Sequence, residues 1–342
     1  MSVVPVQRSP LITIVLLLAF VAIFLSFSNG ANDNFKGFAT VWGSDMLPFR
    51  SALAFATIAT VLGGIASVVI AESLVQQFSG KGLVGDELAN TPGFALAVAS
   101  GAAITVMLAT RLGFPVSTTH ALVGGLVGAG LAQSDSSIDL ANLGSGFVLP
   151  LLTSPFISAA LGLTVFSIIR WRGKRKARRL PTLSAAATTT GFTQTRAGAA
   201  LHLLSASFIC FARGVNDTPK IAALLIAAQL LDADSSALAV TAAMGLGGWL
   251  LSRRVAETMS KRINHLDTGQ GISANLVTAA LVLFASRLGL PVSTTHVSVG
   301  SIIGTGAAAG TLDLSTVRNV LLSWVATLPI SAALAFTVGM LV

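Results

Sequence analysis

Charge is what this sequence has least of: of its 342 residues only 10% are Asp, Glu, Lys or Arg. So few ionic side chains cannot wet the surface of a soluble enzyme, and a mean hydropathy of +0.82 names lipid as the solvent. Cysteine is nearly missing as well. The single Cys210 rules out an intrachain disulfide framework and a cysteine-rich metal site, and its apolar neighbours make it a small core residue. Basic residues outnumber acidic ones by 21 to 13, yet Arg170, Arg172, Lys174, Arg175, Lys176, Arg178 and Arg179 crowd together without an acid among them. A single cluster of this kind is not a basic face spread along a surface, so no nucleic-acid partner is expected.

What is abundant is apolar sequence. With 53% hydrophobic residues and 33 glycines, the chain can supply about ten spans of ~20 residues each. Charge-free stretches fall at 11–28, 51–71, 88–110, 112–134, 140–169, 197–212, 235–252, 268–286, 288–312 and 319–342. The first lacks an A-x-A-like exit and is read as mature protein rather than a cleaved signal peptide. If each stretch crosses once and the basic run 170–179 is cytoplasmic, fifteen basic residues lie inside and three, Arg8, Lys81 and Arg287, outside. This places both termini outside and the central loop in the cytoplasm. The expected organisation is a first transmembrane repeat over 1–169, a basic cytoplasmic linker over 170–196 and a second, inverted repeat over 197–342. With no organelle-targeting extension evident, the expected location is a prokaryotic plasma (inner) membrane.

Comparison of the two halves carries the reading further. Gly30-Ala31-Asn32-Asp33-Asn34-Phe35-Lys36 returns as Gly214-Val215-Asn216-Asp217-Thr218-Pro219-Lys220, an offset of 184. Ala71-Glu72 returns as Ala256-Glu257, and Arg111-Leu112-Gly113-Phe114-Pro115-Val116-Ser117-Thr118-Thr119-His120 returns as Arg287-Leu288-Gly289-Leu290-Pro291-Val292-Ser293-Thr294-Thr295-His296. Five crossings per half is an odd number, so the second copy enters from the opposite side. Inverted repeats with interrupted apolar segments at matching places are the sequence sign of alternating access around a mid-membrane site. The fold class expected is an all-α polytopic membrane protein with two inverted-topology repeats, broken or re-entrant helices and about 10–12 transmembrane helices. Gly-Ala/Val-Asn-Asp is expected to break its helix in both copies. Pro-Val-Ser-Thr-Thr-His is expected to restart one, with proline at the start and hydroxyls in the first turn.

A restarting helix presents free N–H groups and a partial positive charge, which favours an anion. Ser117, Thr118, Thr119, Ser293, Thr294 and Thr295 add neutral donors suited to a tetrahedral oxyanion. Asp33 and Asp217 cost several kcal/mol if charged and unpaired in lipid, so each meets a cation, a basic side chain or a proton. Asn32 and Asn216 add carbonyl oxygens of the kind hard cations accept. Lys36 and Lys220, each three residues after its aspartate, either neutralise it or attract the anion, and the two roles can coexist. Glu72 and Glu257 end their apolar segments but recur at matching positions, which makes them candidates for cation binding or gating. His120 and His296 read as structural, Arg111 and Arg287 as interfacial snorkelling residues, and His202 and His265 as incidental. No metal cluster or activated nucleophile points to an enzyme; the histidine beside Ser-Thr-Thr is adjacent in sequence only.

These paired motifs resemble the inorganic phosphate transporters of the PiT type, over nearly the whole chain apart from the central loop. The resemblance implies secondary transport of inorganic phosphate coupled to Na⁺ or H⁺, around twelve helices, and a site built from both repeats. By matching positions it implies cation and phosphate binding at Asp33, Asp217, Asn32 and Asn216, with Na⁺ at the two aspartates, and a phosphate cradle of the six Ser-Thr-Thr hydroxyls. Many relatives read Gly-Ala-Asn-Asp-Val-Ala-Asn-Ala, whereas this chain has lysine three residues after each aspartate, and Arg213 before the second motif. Moving HPO₄²⁻ inward against 100 mV costs roughly 4.6 kcal/mol, so two co-transported cations cancel the charge and a third lets the potential drive uptake. The expected function is therefore cation-coupled phosphate symport with no cofactor. A sulfate permease of the same architecture and an anion channel are the alternatives, and a homodimer is left open.

Overall fold

The computed structural model of the protein describes residues 10–133, 138–179, 195–263 and 266–342. Most of the 170–196 linker, and His265, lie outside them. The described residues are helical almost throughout: α1 (Pro10–Asp33), α2 (Ala39–Gly43), α3 (Phe49–Ile70), α4 (Glu72–Phe78), α5 (Asp86–Ala89), α6 (Pro92–Leu112), α7 (Thr118–Gln133), α8 (Leu140–Asn142), α9 (Leu149–Arg179), α10 (Arg196–Ala227), α11 (Ala233–Leu251), α12 (Arg253–Glu257), α13 (Thr268–Arg287), α14 (Thr294–Ala309) and α15 (Leu314–Gly339). A π-helical turn at Leu143–Val148 leads into α9, and another at Thr258–Arg262 continues α12.

Each of the ten apolar stretches becomes one helix, but not ten equal crossings. Among the described residues, seven helical segments are long and apolar enough to span a membrane, and an eighth arises if the α11–α12 pair, bent by 67°, is one span. The remaining two stretches give α7 and α14, 16 residues each, about 24 Å of helix and short of a bilayer core. Each comes after a long helix and a glycine turn: Gly113 and Gly289 take φ of 79° and 69°, a left-handed conformation that side-chain-bearing residues rarely adopt.

Capping residues set the helix starts. Thr91 with Pro92 opens α6, Asp267 and Gln270 form a reciprocal capping box on α13, and Asp232 and Asp313 open α11 and α15. On these last two exposed loops, hydrogen bonds from the backbone N–H and hydroxyl of Ser235, and likewise of Thr316, hold the carboxyls below the usual carboxylate range.

Apolar side chains such as Phe20, Leu62, Phe156 and Val325 face outward, while the interior collects small and polar residues. That is the arrangement expected where lipid tails, not water, surround the protein. The repeats are interlocked rather than side by side: α1, α6 and α7 pack with α11 and α15, and α10, α13 and α14 pack with α3 and α9. Glycine makes the exchange possible. A Cβ on Gly30 would lie 1.9 Å from the Met244 carbonyl oxygen, and one on its repeat mate Gly214 would lie 2.2 Å from that of Thr60. Thr60 and Met244 stand 184 positions apart, the same offset as Gly30 and Gly214, so the two contacts are one contact seen twice.

Candidate functional site

α7 and α14 begin side by side. The Ser117 hydroxyl accepts the His120 N–H at 3.0 Å and the Ser293 hydroxyl accepts that of His296 at 3.2 Å, so each serine caps its helix. The N–H groups of Thr118, Thr119, Thr294 and Thr295, being in the first turn, have no acceptor inside their own helix. Pro115 and Pro291 stand two residues before the caps, in extended chain, and not at the first helical position. An imino residue suits that crossing of the interior, because it brings no N–H to satisfy.

The two turns are tied across the repeats. Thr119 donates its hydroxyl to the Val292 carbonyl at 3.2 Å, and Thr295 donates its own to the Val116 carbonyl at 2.7 Å. Because Val116 and Val292 are repeat mates, this reciprocity defines a local two-fold. The lysines cross in the same way: Lys36 donates to the Thr295 hydroxyl, and Lys220 to the Thr119 hydroxyl at 2.9 Å and the Val292 carbonyl at 2.7 Å. Asn32 donates to Thr110 at 2.9 Å and to the Phe114 carbonyl at 3.0 Å while accepting the Val116 N–H at 3.1 Å, so it staples the extended stretch. Asn216 accepts from Ser286, the repeat mate of Thr110, at 3.0 Å.

The aspartates are held by cations of their own motif. Asp33 pairs with Lys36, and Asp217 pairs with Arg213 at 3.4 Å. Asp217 also accepts from Asn29 at 3.2 Å and Asn216 at 2.9 Å. All the residues of this cluster are buried, none more than 4% exposed. The twelve residues Asn32, Asp33, Lys36, Ser117, Thr118, Thr119, Asn216, Asp217, Lys220, Ser293, Thr294 and Thr295 thus share one enclosed polar centre. It brings together oriented N–H dipoles, hydroxyls and ammonium groups, the donors that suit an oxyanion, beside two carboxylates.

The motif behaves differently in the two halves. α1 ends at Asp33, and Lys36 closes a tight turn onto the Asp33 carbonyl. The break expected in the second half does not occur: α10 runs through Gly214, Asp217 and Pro219 to Ala227. Helix-compatible Ile221-Ala222-Ala223-Leu224 comes after the second motif, whereas Gly37 comes after the first, where a Cβ would lie 2.3 Å from the Ala206 carbonyl oxygen.

Glu72 and Glu257 are not brought into the centre. Glu72 is exposed at the start of α4, and Glu257 pairs with Arg253 at 3.2 Å on the surface. Glu257 instead borders a vestibule of about 420 Å³ with Thr110, Arg111, Arg253 and Arg254. Thr110, which Asn32 bonds, joins that vestibule to the centre. There the α6–α7 turn is tethered: Arg254 donates to the Arg111 carbonyl at 2.6 Å and Thr258 to that of Gly113 at 2.8 Å. His120 and His296 pack edge to face at 4.3 Å, and His296 lies on Trp324 at 3.9 Å, beside an apolar cavity of about 580 Å³.

Sequence reasoning missed several residues. Asn29, the repeat mate of Arg213, bonds both Thr118 at 2.9 Å and Asp217. Thr110 and Ser286 stand one position before the recurring arginines. Extending each repeat match by one residue would have found all of them. His202 is not incidental: it is buried, with Nε2 2.9 Å from the Thr40 hydroxyl, in a network with Asn275 and Ser205. No repeat symmetry marks it.

Fold and centre together define a polytopic membrane protein of the inverted-repeat class, with its polar residues gathered where the repeats cross. Residues 29–335 match the phosphate transporter family (PHO4). The chain belongs to that family. It is 31% identical to a Rhizobium meliloti (strain 1021) protein named "Probable low-affinity inorganic phosphate transporter", over 92% of each chain. A Bacillus subtilis (strain 168) protein of the same name is 28% identical over 95% of this chain and 96% of its own. Among solved structures, one described as "The sodium-dependent phosphate transporter" shares the fold with a TM-score of 0.78 at 23% identity, covering 96% of this chain and 98% of that one.

Proposed function

We propose that the enclosed centre binds inorganic phosphate and that the protein is a secondary transporter, a symporter of phosphate with Na⁺ or H⁺ working by alternating access. The observation that supports this most is the reciprocal crossing: two helix N-termini and two Asn-Asp pairs, one from each repeat, meet at a single buried place. Ser117, Thr118, Thr119, Ser293, Thr294 and Thr295 cradle the oxyanion, with Lys36 and Lys220 supplying positive charge. Asp33, Asp217, Asn32 and Asn216 serve the coupling cation. Glu257, which borders the vestibule, acts there as a gate residue, and Glu72 has no counterpart role. The termini lie outside and the linker in the cytoplasm of a bacterial plasma membrane.

Uptake of labelled phosphate into proteoliposomes tests this reading: imposed Na⁺ or proton gradients should change accumulation, and indifference to both would remove symport. Concentrative uptake separates a transporter from a channel. Competition with labelled sulfate separates the two tetrahedral anions. Asp33→Asn and Asp217→Asn should each abolish coupled uptake while the protein still inserts, and normal transport by either variant would remove that residue from the site.

A further inference from the structure

The scaffold of the centre is two-fold symmetric but its charges are not. At the position before each glycine of the motif the first repeat has Asn29 and the second Arg213. Arg213 takes Asp217, so Lys220, which stands where Lys36 stands in the other half, has no carboxylate within ion-pair distance among the described residues. It is left with the Thr119 hydroxyl, the Val292 carbonyl and the face of the Phe78 ring at 5.5 Å. In the centre, three buried cations therefore face two buried carboxylates, an excess of one positive charge that lies with Lys220.

Most of the side-chain oxygens that could ligate a hard cation are also engaged, and the Asp33 carboxylate faces the Lys36 ammonium. Such an ion needs several oxygen ligands pointed at one place. Here the side-chain oxygen of Asn32 accepts the Val116 N–H, that of Asn216 accepts from Ser286, and that of Asn29 accepts from Arg213. The Thr119 and Thr295 hydroxyls accept from the two lysines, and the Asp217 carboxylate accepts from two amides besides its guanidinium partner. Donors fixed to the chain already satisfy these oxygens.

We propose that Lys36, Arg213 and Lys220 are resident cations that replace co-transported sodium: the first two neutralise the aspartates, and Lys220 is the charge that anchors the oxyanion. Transport is then independent of Na⁺, and protons are the accompanying cations, at least two for each HPO₄²⁻ so that its charge is cancelled. This rests on the enclosed centre being the phosphate site; at Asp33, Asp217, Asn32 and Asn216 the resident donors then stand in for the coupling cation of the symport reading.

The test is counterflow of labelled phosphate in proteoliposomes of the full chain, with Na⁺ or choline at equal concentration on both sides. Rates equal to within about twofold support the proposal, and a loss of tenfold or more in choline overturns it. Absence of counterflow in both salts by correctly inserted protein overturns the phosphate reading itself and takes the proposal with it. Lys220→Gln should raise the KM for phosphate about 30-fold, the loss expected for a charge-assisted bond; an unchanged KM contradicts the anchor role. Lys36→Gln leaves Asp33 without its ammonium partner, so counterflow by this variant should become Na⁺-stimulated. An active variant that stays indifferent to Na⁺ overturns the replacement.

Discussion

The two half-sites share one backbone plan and divide on a single residue. In the first repeat Asn29 is neutral and Lys36 turns to Asp33; in the second Arg213 holds Asp217 and Lys220 is released towards Thr119. Duplication thus fixes where the groups stand, and one substitution between the copies decides which of them carries net charge. A symmetric sequence motif does not guarantee symmetric chemistry when a neighbour one helical turn away competes for the same partner.

Removing the asymmetry should have the largest effect. Arg213→Asn restores the first repeat's pattern in the second, leaving Lys220 to pair with Asp217 as Lys36 pairs with Asp33. Breaking a buried ion pair costs about 3–5 kcal/mol, so thermal unfolding in detergent should shift strongly, and phosphate affinity should fall because the surplus charge is gone. Unchanged affinity in the folded variant would show that the half-sites are equivalent after all.

The shared backbone plan can be probed next. Gly30→Ala and Gly214→Ala each force a methyl into a carbonyl oxygen of the facing helix, at 1.9 and 2.2 Å, and each should cost about 1–3 kcal/mol. Similar losses of Tm are expected for both, and a tolerant member would break the symmetry of the packing. Smaller still are the crossing hydrogen bonds. Thr119→Val and Thr295→Val each remove two bonds between repeats, the neutral one to a valine carbonyl, worth about 1 kcal/mol, and the one accepted from a lysine, which keeps its other partner. Thr119→Val should impair transport more, since it touches the unpaired lysine.

The smallest expected effect lies at the exposed caps Asp232 and Asp313. Their carboxyls titrate below the ordinary carboxylate value, so the stabilisation they give is present at neutral pH and lost as pH falls through the folded-state value. Asp→Asn at both should flatten the acid side of a Tm–pH profile and leave the alkaline side unchanged.

Much of the architecture is legible in the sequence because repetition is a strong signal. The ten apolar stretches, the inverted halves and the buried meeting of Asn-Asp with Ser-Thr-Thr are all readable there. Other features are not. Whether Gly-x-Asn-Asp ends a helix depends on the residues after the motif, Gly37 in one copy and Ile221-Ala222 in the other, and on how closely the facing backbone approaches. The length of α7 and α14 is hidden because the stretches around them stay apolar through the extended turns. Glu72 and Glu257 recur because their helices recur, yet recurrence says nothing about which face looks inward. The unequal lysines are out of reach, since the sequence does not say which of the buried cations, Arg213 or Lys220, Asp217 takes as its partner.

The most direct test of the central claim is an experimental density map of the full chain determined with inorganic phosphate. The account predicts the anion between the Thr118–Thr119 and Thr294–Thr295 turns, within hydrogen-bond reach of Lys220. Phosphate bound instead among Arg111, Arg253 and Arg254 in the vestibule, with the buried centre unchanged by its presence, would contradict it.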